Sequence, residues 1–274
     1  MLCTVGGIAK LMDDIAPEEW AEDWDNVGLL LGTRESIVSR LMVVLDISPS
    51  VVQEAIDKNV DMIISHHPLI FTPMDRILGD TIEGSLIISL ISNNIAVYCS
   101  HTNLDMAQDG MDDTLAKCFG LKDVQRLNTG EDIVVKPGFG RWGRLVPETP
   151  LIEFANLAGQ TLGLAKVDII GKGRKNLDKT ISTVALCAGS GSSFIEQAKQ
   201  RDIDLFVTGE IKYHDALKAE WLDIDVMVVG HFYSEFPGIN KLINRLQTIM
   251  HSLQYKIDII GSDNQRSPYS RITL

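Results

Sequence analysis

Cysteine is scarce and scattered in this chain. Cys3, Cys99, Cys118 and Cys187 form no CxxC pair, which excludes a structural zinc knuckle and a disulfide framework. Positive charge is in deficit. With 25 Lys and Arg against 37 Asp and Glu, the formal charge is −12, and a nucleic-acid backbone is excluded as the main partner because phosphate binding needs a basic surface. Long hydrophobic runs are missing too. Stretches such as Leu86–Ile91 fall far short of the ~20 residues that a membrane span needs, so no membrane partner is expected. No basic region followed by a long apolar one opens the chain, so no signal peptide is expected and the expected location is cytoplasmic. Low-complexity segments are absent.

The length of 274 residues exceeds the usual single-domain size, and the apolar fraction of 45% is enough for a real core, so two domains are expected. Apolar residues at helical spacing (Val5, Ile8, Leu11, Met12, Ile15) predict a helix over Thr4–Ala16, stopped before Pro17. An acidic, Trp-bearing turn, Glu22–Asn26, leads to a strand Val27–Leu31. After strand Leu41–Leu45, Ser48 as N-cap and Pro49 at the first helical position start a helix over Ser50–Lys58. Strand Met62–Ser65, helix Ser85–Asn93, strand Ile95–Ser100, a loop His101–Asp105 and helix Met111–Phe119 follow. From Leu121 to about Leu145 the pattern reads as strands and turns, which places the expected boundary near residue 125. The later half alternates again, ending in strand Val226–Val229, helix Phe236–Ser252 and strand Tyr255–Ile259. Alternation in both halves predicts two α/β domains with mixed sheets, residues 1–125 and 126–274, with the C-terminal helix and strand able to pack back on the first.

Five of the six histidines stand at or just beyond the ends of apolar, strand-like runs. In an open α/β sheet, ligands bind at the carboxyl ends of strands. His66 and His67 end one run. Neighbouring strand residues point to opposite faces, so both reach one site only if the strand is ending, and Pro68 fits an ending strand. Such a pair can hold two different ions of a cluster; the alternative is two surface histidines. His101 ends the next run, with Asp105 four residues later as a hard-oxygen ligand. His101 itself is either a ligand or a residue that orients one through a hydrogen bond. His231 and Glu235 share a face if the backbone turns helical after Gly230, and the carboxylate can bridge two ions. The alternative there is a surface ion pair. One bridging carboxylate, imidazoles and a further carboxylate leave open positions for water, as a catalytic site requires. Tyr213 and His214 lie in a stretch suited to positioning substrate, His214 otherwise to ligation, and His251 reads as structural. Gly189–Ser193 is either a plain turn or an anion site, lacking the GxGxxG pattern and the Walker lysine.

Several segments together resemble the NGG-interacting-factor-like family, also called the GTP cyclohydrolase I type 2 family. They are Ala21–Gly28, Ser65–Pro68, Ser100–Asp105, Thr208–His214, and Gly230–His231 with Ser234–Glu235. They run in the family's order over nearly the whole chain. The resemblance implies a two-domain protomer with a dinuclear metal centre in the cleft between the domains, and a ring-shaped homohexamer. It implies His67 and Asp105 on one ion, His66 and His231 on the other, and Glu235 bridging. A metal-dependent hydrolase of a small molecule is expected, with His101, Tyr213 and His214 as candidates to move protons or orient substrate, and the family name implies GTP or a related nucleotide as that substrate. Zinc, iron and manganese suit this ligand set alike. The rival class is a non-catalytic metal-binding scaffold or regulator whose ring binds a partner. Three departures from the family pattern stand out: no inserted domain fits between Leu145 and Lys166, Asp112 stands where Asn is expected, and Phe232 where Tyr or His is usual.

Overall fold

The computed structural model describes residues 2–128 and 137–270. Both large sheets are mixed, and helices flank them, giving an α/β protein. Contacts divide the chain into two compact units, one holding residues up to Ala107 together with those from Ile239 onward, the other Gln108–Gly238. The division differs from the boundary expected near 125. Strand Lys122–Arg126 pairs with Arg141–Pro150 in the second sheet, and strand Asp258–Gly261 pairs with Arg40–Val44 in the first. Strand pairing, rather than the change of composition after Leu121, decides the units.

The first unit's five-stranded sheet runs Asp258–Gly261, Arg40–Val44, Met62–Ser65, Ala96–Cys99, Gly28–Leu31. All neighbours are parallel except the last pair. The strands Met-Ile-Ile-Ser and Ala-Val-Tyr-Cys are buried at every position. Parallel strands covered on both faces read as continuous apolar runs rather than alternating ones. Met42, Val44, Ile63 and Val97 pack against Val51, Val52 and Ala55 of helix Pro49–Asp57 and against Leu86 and Leu90 of helix Ile82–Ser92. Ser48 caps the first of these helices as expected, its hydroxyl accepting from the Val51 amide at 3.3 Å.

The second unit's six-stranded sheet runs Lys122–Arg126, Arg141–Pro150, Thr180–Cys187, Leu205–Thr208, Asp225–Val228, Asp168–Ile170. Its three central neighbours from Thr180 to Val228 are parallel and its outer pairings antiparallel. Ala185, Phe206 and Val226 line one face and pack on Ile195, Ala198 and Ala219.

Four local features depart from the sequence pattern. Residues 102–106 form a short helix instead of a loop, and the final strand is Asp258–Gly261 instead of Tyr255–Ile259. A small antiparallel pair, Cys3–Thr4 with Ile37–Val38, has no sequence signal. The long helix starts at His231, five residues before Phe236, and runs through Pro237 to Ser252. Among the described residues no helix is long and apolar enough to cross a membrane.

Candidate metal centre

In the first unit, pairing of Ser65 with Cys99 aligns the carboxyl ends of two parallel strands. Backbone pairing continues past the strand ends: the His66 and His67 amides donate to the Val44 and Leu45 carbonyls, and the Ser100 amide donates to Ser65. That brings His66 and His67 beside His101. Their ring centroids lie 5.0 to 5.4 Å apart, and one nitrogen from each falls within 4.8 Å of the other two.

Each of these imidazoles has its Nδ1 held by an oxygen. His66 Nδ1 meets the Ser100 carbonyl at 3.0 Å, and a carbonyl only accepts, so Nδ1 carries the proton. His67 Nδ1 meets Asp46 Oδ1 at 2.8 Å, and His101 Nδ1 meets Asp25 Oδ1 at 2.9 Å. Burial raises the Asp25 carboxyl, but hydrogen bonds from His101 and Thr102 outweigh it and bring its pKa down to about 2. Asp25 is therefore an ionised acceptor, and His101 Nδ1 donates to it. The consequence is shared by all three rings: the Nδ1–H is committed, and the Nε2 lone pair is the ligand on offer. Oxygen-held imidazoles of this kind are the usual partners of metal ions, since the hydrogen bond fixes the ring and raises its basicity.

Asp105 sits in the first turn of the Thr102–Met106 helix, with Oδ1 3.5 Å from His66 Nε2. Helix formation over these residues, rather than the expected loop, carries the carboxylate back toward the strand ends.

The second unit builds a corner of its own from strand ends. Three parallel strands lead to Gly189, Gly209 and Gly230, each just past a carboxyl terminus. A Cβ at Gly209 would lie 2.5 Å from the Gly189 carbonyl oxygen and 2.6 Å from Ser234 Oγ. Ser234 ties this corner together, donating to the His231 carbonyl at 2.7 Å and accepting from the Gly189 amide at 2.9 Å. Because the helix starts at His231, His231 and Glu235 share one face, with Nε2 3.1 Å from Oε2. Glu235 is buried, 3% exposed, and His231 Nδ1 lies 3.3 Å from Glu210 Oε2. A carboxylate withdrawn from water beside an imidazole on a strand-to-helix corner is a fitting partner for a cation.

Tyr213 and His214 stand in the first turn of helix Tyr213–Trp221, both exposed, their rings 5.4 Å apart. Among the described residues His214 is not one of those whose ligating atoms converge. The Gly189–Ser193 loop uses its own donors: the Gly189 amide binds Ser234, the Gly191 amide binds Thr208 at 2.9 Å, and the Ser192 hydroxyl binds Asp215 at 3.0 Å. It is a braced turn between strand and helix. Asp25 and Asp46, the acceptors behind His101 and His67, and Glu210 beside His231 were not singled out from the sequence, although Glu210 lies in the Thr208–His214 segment of the resemblance. For Asp25 the signal existed, because it lies within the Glu22–Asn26 turn that forms part of the resemblance.

Comparisons with known proteins agree with this architecture. A family model described as Duf34/NIF3 (NGG1p interacting factor 3) matches residues 3–268. A Clostridium acetobutylicum protein named GTP cyclohydrolase 1 type 2 homolog is 35% identical over 269 residues, covering 98% of this chain and 99% of its own length. The crystal structure of a Staphylococcus aureus hypothetical protein superposes with a TM-score of 0.89 at 28% identity, covering 98% of this chain and 99% of that one. That of a Bacillus cereus protein related to NIF3 superposes with a TM-score of 0.90 at 23% identity, covering 99% of this chain and all of that one, and shows the shared fold.

Proposed function

The chain belongs to the Duf34/NIF3 family, and from that premise we propose that it is a dinuclear metal-dependent hydrolase acting on a nucleotide or a related small molecule. The observation that carries the proposal is the presentation of three imidazole Nε2 atoms by His66, His67 and His101, each ring fixed by an oxygen on its Nδ1. This donor chemistry fits zinc, iron or manganese. His66, His67 and Asp105 from the first unit and His231 and Glu235 from the second are the proposed ligands, with Glu235 bridging. When bound, divalent ions supply Lewis acidity and lower the pKa of water to about 7.

The remaining roles belong to the chain's own groups. His101, anchored through Nδ1 on ionised Asp25 with its ring 5.1 Å from that of His66 and 5.4 Å from that of His67, orients a ligand or takes a proton through Nε2. Trp24, 58% exposed, sets its ring 6.2 Å from His101 and 5.9 Å from Phe71, an apolar wall against which a planar base can stack. Tyr213 and His214 orient substrate from the exposed helix start. A name of the type GTP cyclohydrolase 1 type 2 homolog, carried by the Clostridium relative, makes GTP the first substrate to try. A homohexamer is the proposed assembly.

The test is a turnover screen over nucleotides and phosphoesters, with protein carrying a full metal load. Turnover that chelation abolishes and added zinc, manganese or iron restores, rising with pH through about 7, is the expected result. A full load with no turnover on any substrate class would overturn the hydrolase and leave a metal-binding scaffold. Sedimentation equilibrium tests the hexamer.

A further inference from the structure

Arg126, Arg141 and Arg201 are far apart in sequence but line a single cavity of about 440 Å³ in the second unit, together with Gln108, Asp113 and Gln125. Arg126 and Arg141 are directly opposite each other across the antiparallel pair of strands Lys122–Arg126 and Arg141–Pro150. Like charges in that relation destabilise a strand pair. Asp113 is bonded to Arg141 and buried Asp112 acts on the same guanidinium, so the positive charge the lining presents comes from Arg126 and Arg201. This happens in a chain whose formal charge is −12.

The fold holds these groups in place. The Arg141 side chain is 3% exposed, its Nε bonded to Asp113 and its Nη1 donating to the Gly140 carbonyl at 2.8 Å. Arg201 donates through Nε to the Leu127 carbonyl at 3.2 Å, and its guanidinium lies 6.0 Å from the centre of the Trp142 ring. Two of the three guanidiniums are thus oriented before any ligand arrives, which removes much of the ordering cost of binding. Burial, with the neighbouring Arg141 charge, holds the Arg126 guanidinium below its usual pKa, and the Asp113 carboxylate offsets this only in part.

We propose that this cavity binds the phosphate group of a small phosphorylated molecule, with Arg126 and Arg201 as its main contacts and Arg141 as the buried third. A phosphate monoester carries about −1.5 to −2 charges at neutral pH, which roughly matches the two guanidiniums of Arg126 and Arg201. Guanidinium forks bind such oxygens in pairs. The volume lies within the roughly 300–1,000 Å³ of small-molecule sites and exceeds what a bare phosphate fills, leaving the Gln108 and Gln125 amides for the attached moiety. Among the described residues no histidine lines the cavity, so this anion site is independent of the metal centre.

Calorimetry on the full chain, stripped of metal by chelator, tests it with inorganic phosphate and with ribose 5-phosphate. Both should saturate, the sugar phosphate more tightly, with affinity falling as salt rises. Arg126→Gln and Arg201→Gln should each weaken binding about tenfold, or about 1.4 kcal/mol. If Arg126→Gln does not fold, Arg126→Lys keeps the charge without the fork and should still weaken it. Absence of binding of either probe up to on the order of 10 mM would overturn the proposal. So would unchanged affinity in the folded variants, or binding that needs restored metal, which would assign the anion to the histidine cluster.

Discussion

His101 donates through Nδ1 to Asp25 Oδ1 at 2.9 Å, and the amide and hydroxyl of Thr102 occupy the other oxygen of the same carboxylate. Asp25 thus fixes an imidazole and caps the short helix that carries Asp105.

Asp25→Ala should therefore act twice. It should lower stability by about 1–3 kcal/mol, because buried donors lose their acceptor, and lower metal affinity about 10–100-fold, because the ring is no longer held. Thr102→Val keeps the His101 bond and should cost stability with little change in metal affinity. Competition with a chromogenic chelator reads the difference. Equal metal affinity in wild type and Asp25→Ala would contradict the role given to the His101–Asp25 bond.

Gly189 has φ of +60°, and a Cβ there would run into Glu235 Oε1 and stand 3.3 Å from His231 Nε2. Gly163, the cap of helix Leu151–Leu162, has φ of +69° with nothing within 4 Å of a Cβ. Alanine at either site should cost roughly 1–2 kcal/mol of backbone strain, measured by denaturant titration. Only Gly189→Ala should also lose metal, since it displaces the buried carboxylate. Full metal occupancy in folded Gly189→Ala would show that Glu235 can move aside without consequence.

Glu54 ties helix Pro49–Asp57 to the residues after the last strand, accepting from Lys58 Nζ at 2.6 Å, the Asp263 amide at 2.9 Å, Asn264 at 2.8 Å, and the Ser262 hydroxyl. Burial alone would raise its carboxyl, but these donors bring its pKa down to about 2. A carboxylate lowered on folding contributes stability that is fully present above the unfolded pKa of about 4.3 and is lost as pH falls toward the folded value. Glu54→Gln should cost about 1–3 kcal/mol at neutral pH, and its deficit against wild type should shrink between pH ~4.3 and ~2. Urea titrations across that range check this. A deficit that stays constant throughout would remove ionisation as the source of this link's strength.

Much of the site was readable from the sequence. Continuous apolar runs ending in His66 and His101 identified the strands Met62–Ser65 and Ala96–Cys99, and the i,i+4 spacing of His231 and Glu235 places both on one helix face. The start of that helix was less legible. Proline favours a first helical turn, so Pro237 points to a start beside it, whereas the chain turns from strand to helix at Gly230, with φ of +91°, and the helix begins at His231. The pairing of Asp25 with His101 and the arginine cavity were not readable, because Asp25 to His101 and Arg126 to Arg201 are brought together only by strand pairing and loop packing over some 75 residues. Composition placed the boundary too late, since residues 108–125 lead into the Lys122–Arg126 strand, which joins the second sheet by backbone pairing.

The central claim is that one buried carboxylate, Glu235, bridges two divalent ions held otherwise by His66, His67, Asp105 and His231. Elemental analysis of protein purified without chelator tests it most directly. The expected result is about two ions per chain in wild type, close to none in folded Glu235→Ala, and mainly one lost in Asp105→Ala. A Glu235→Ala protein that still holds two ions per chain would contradict it.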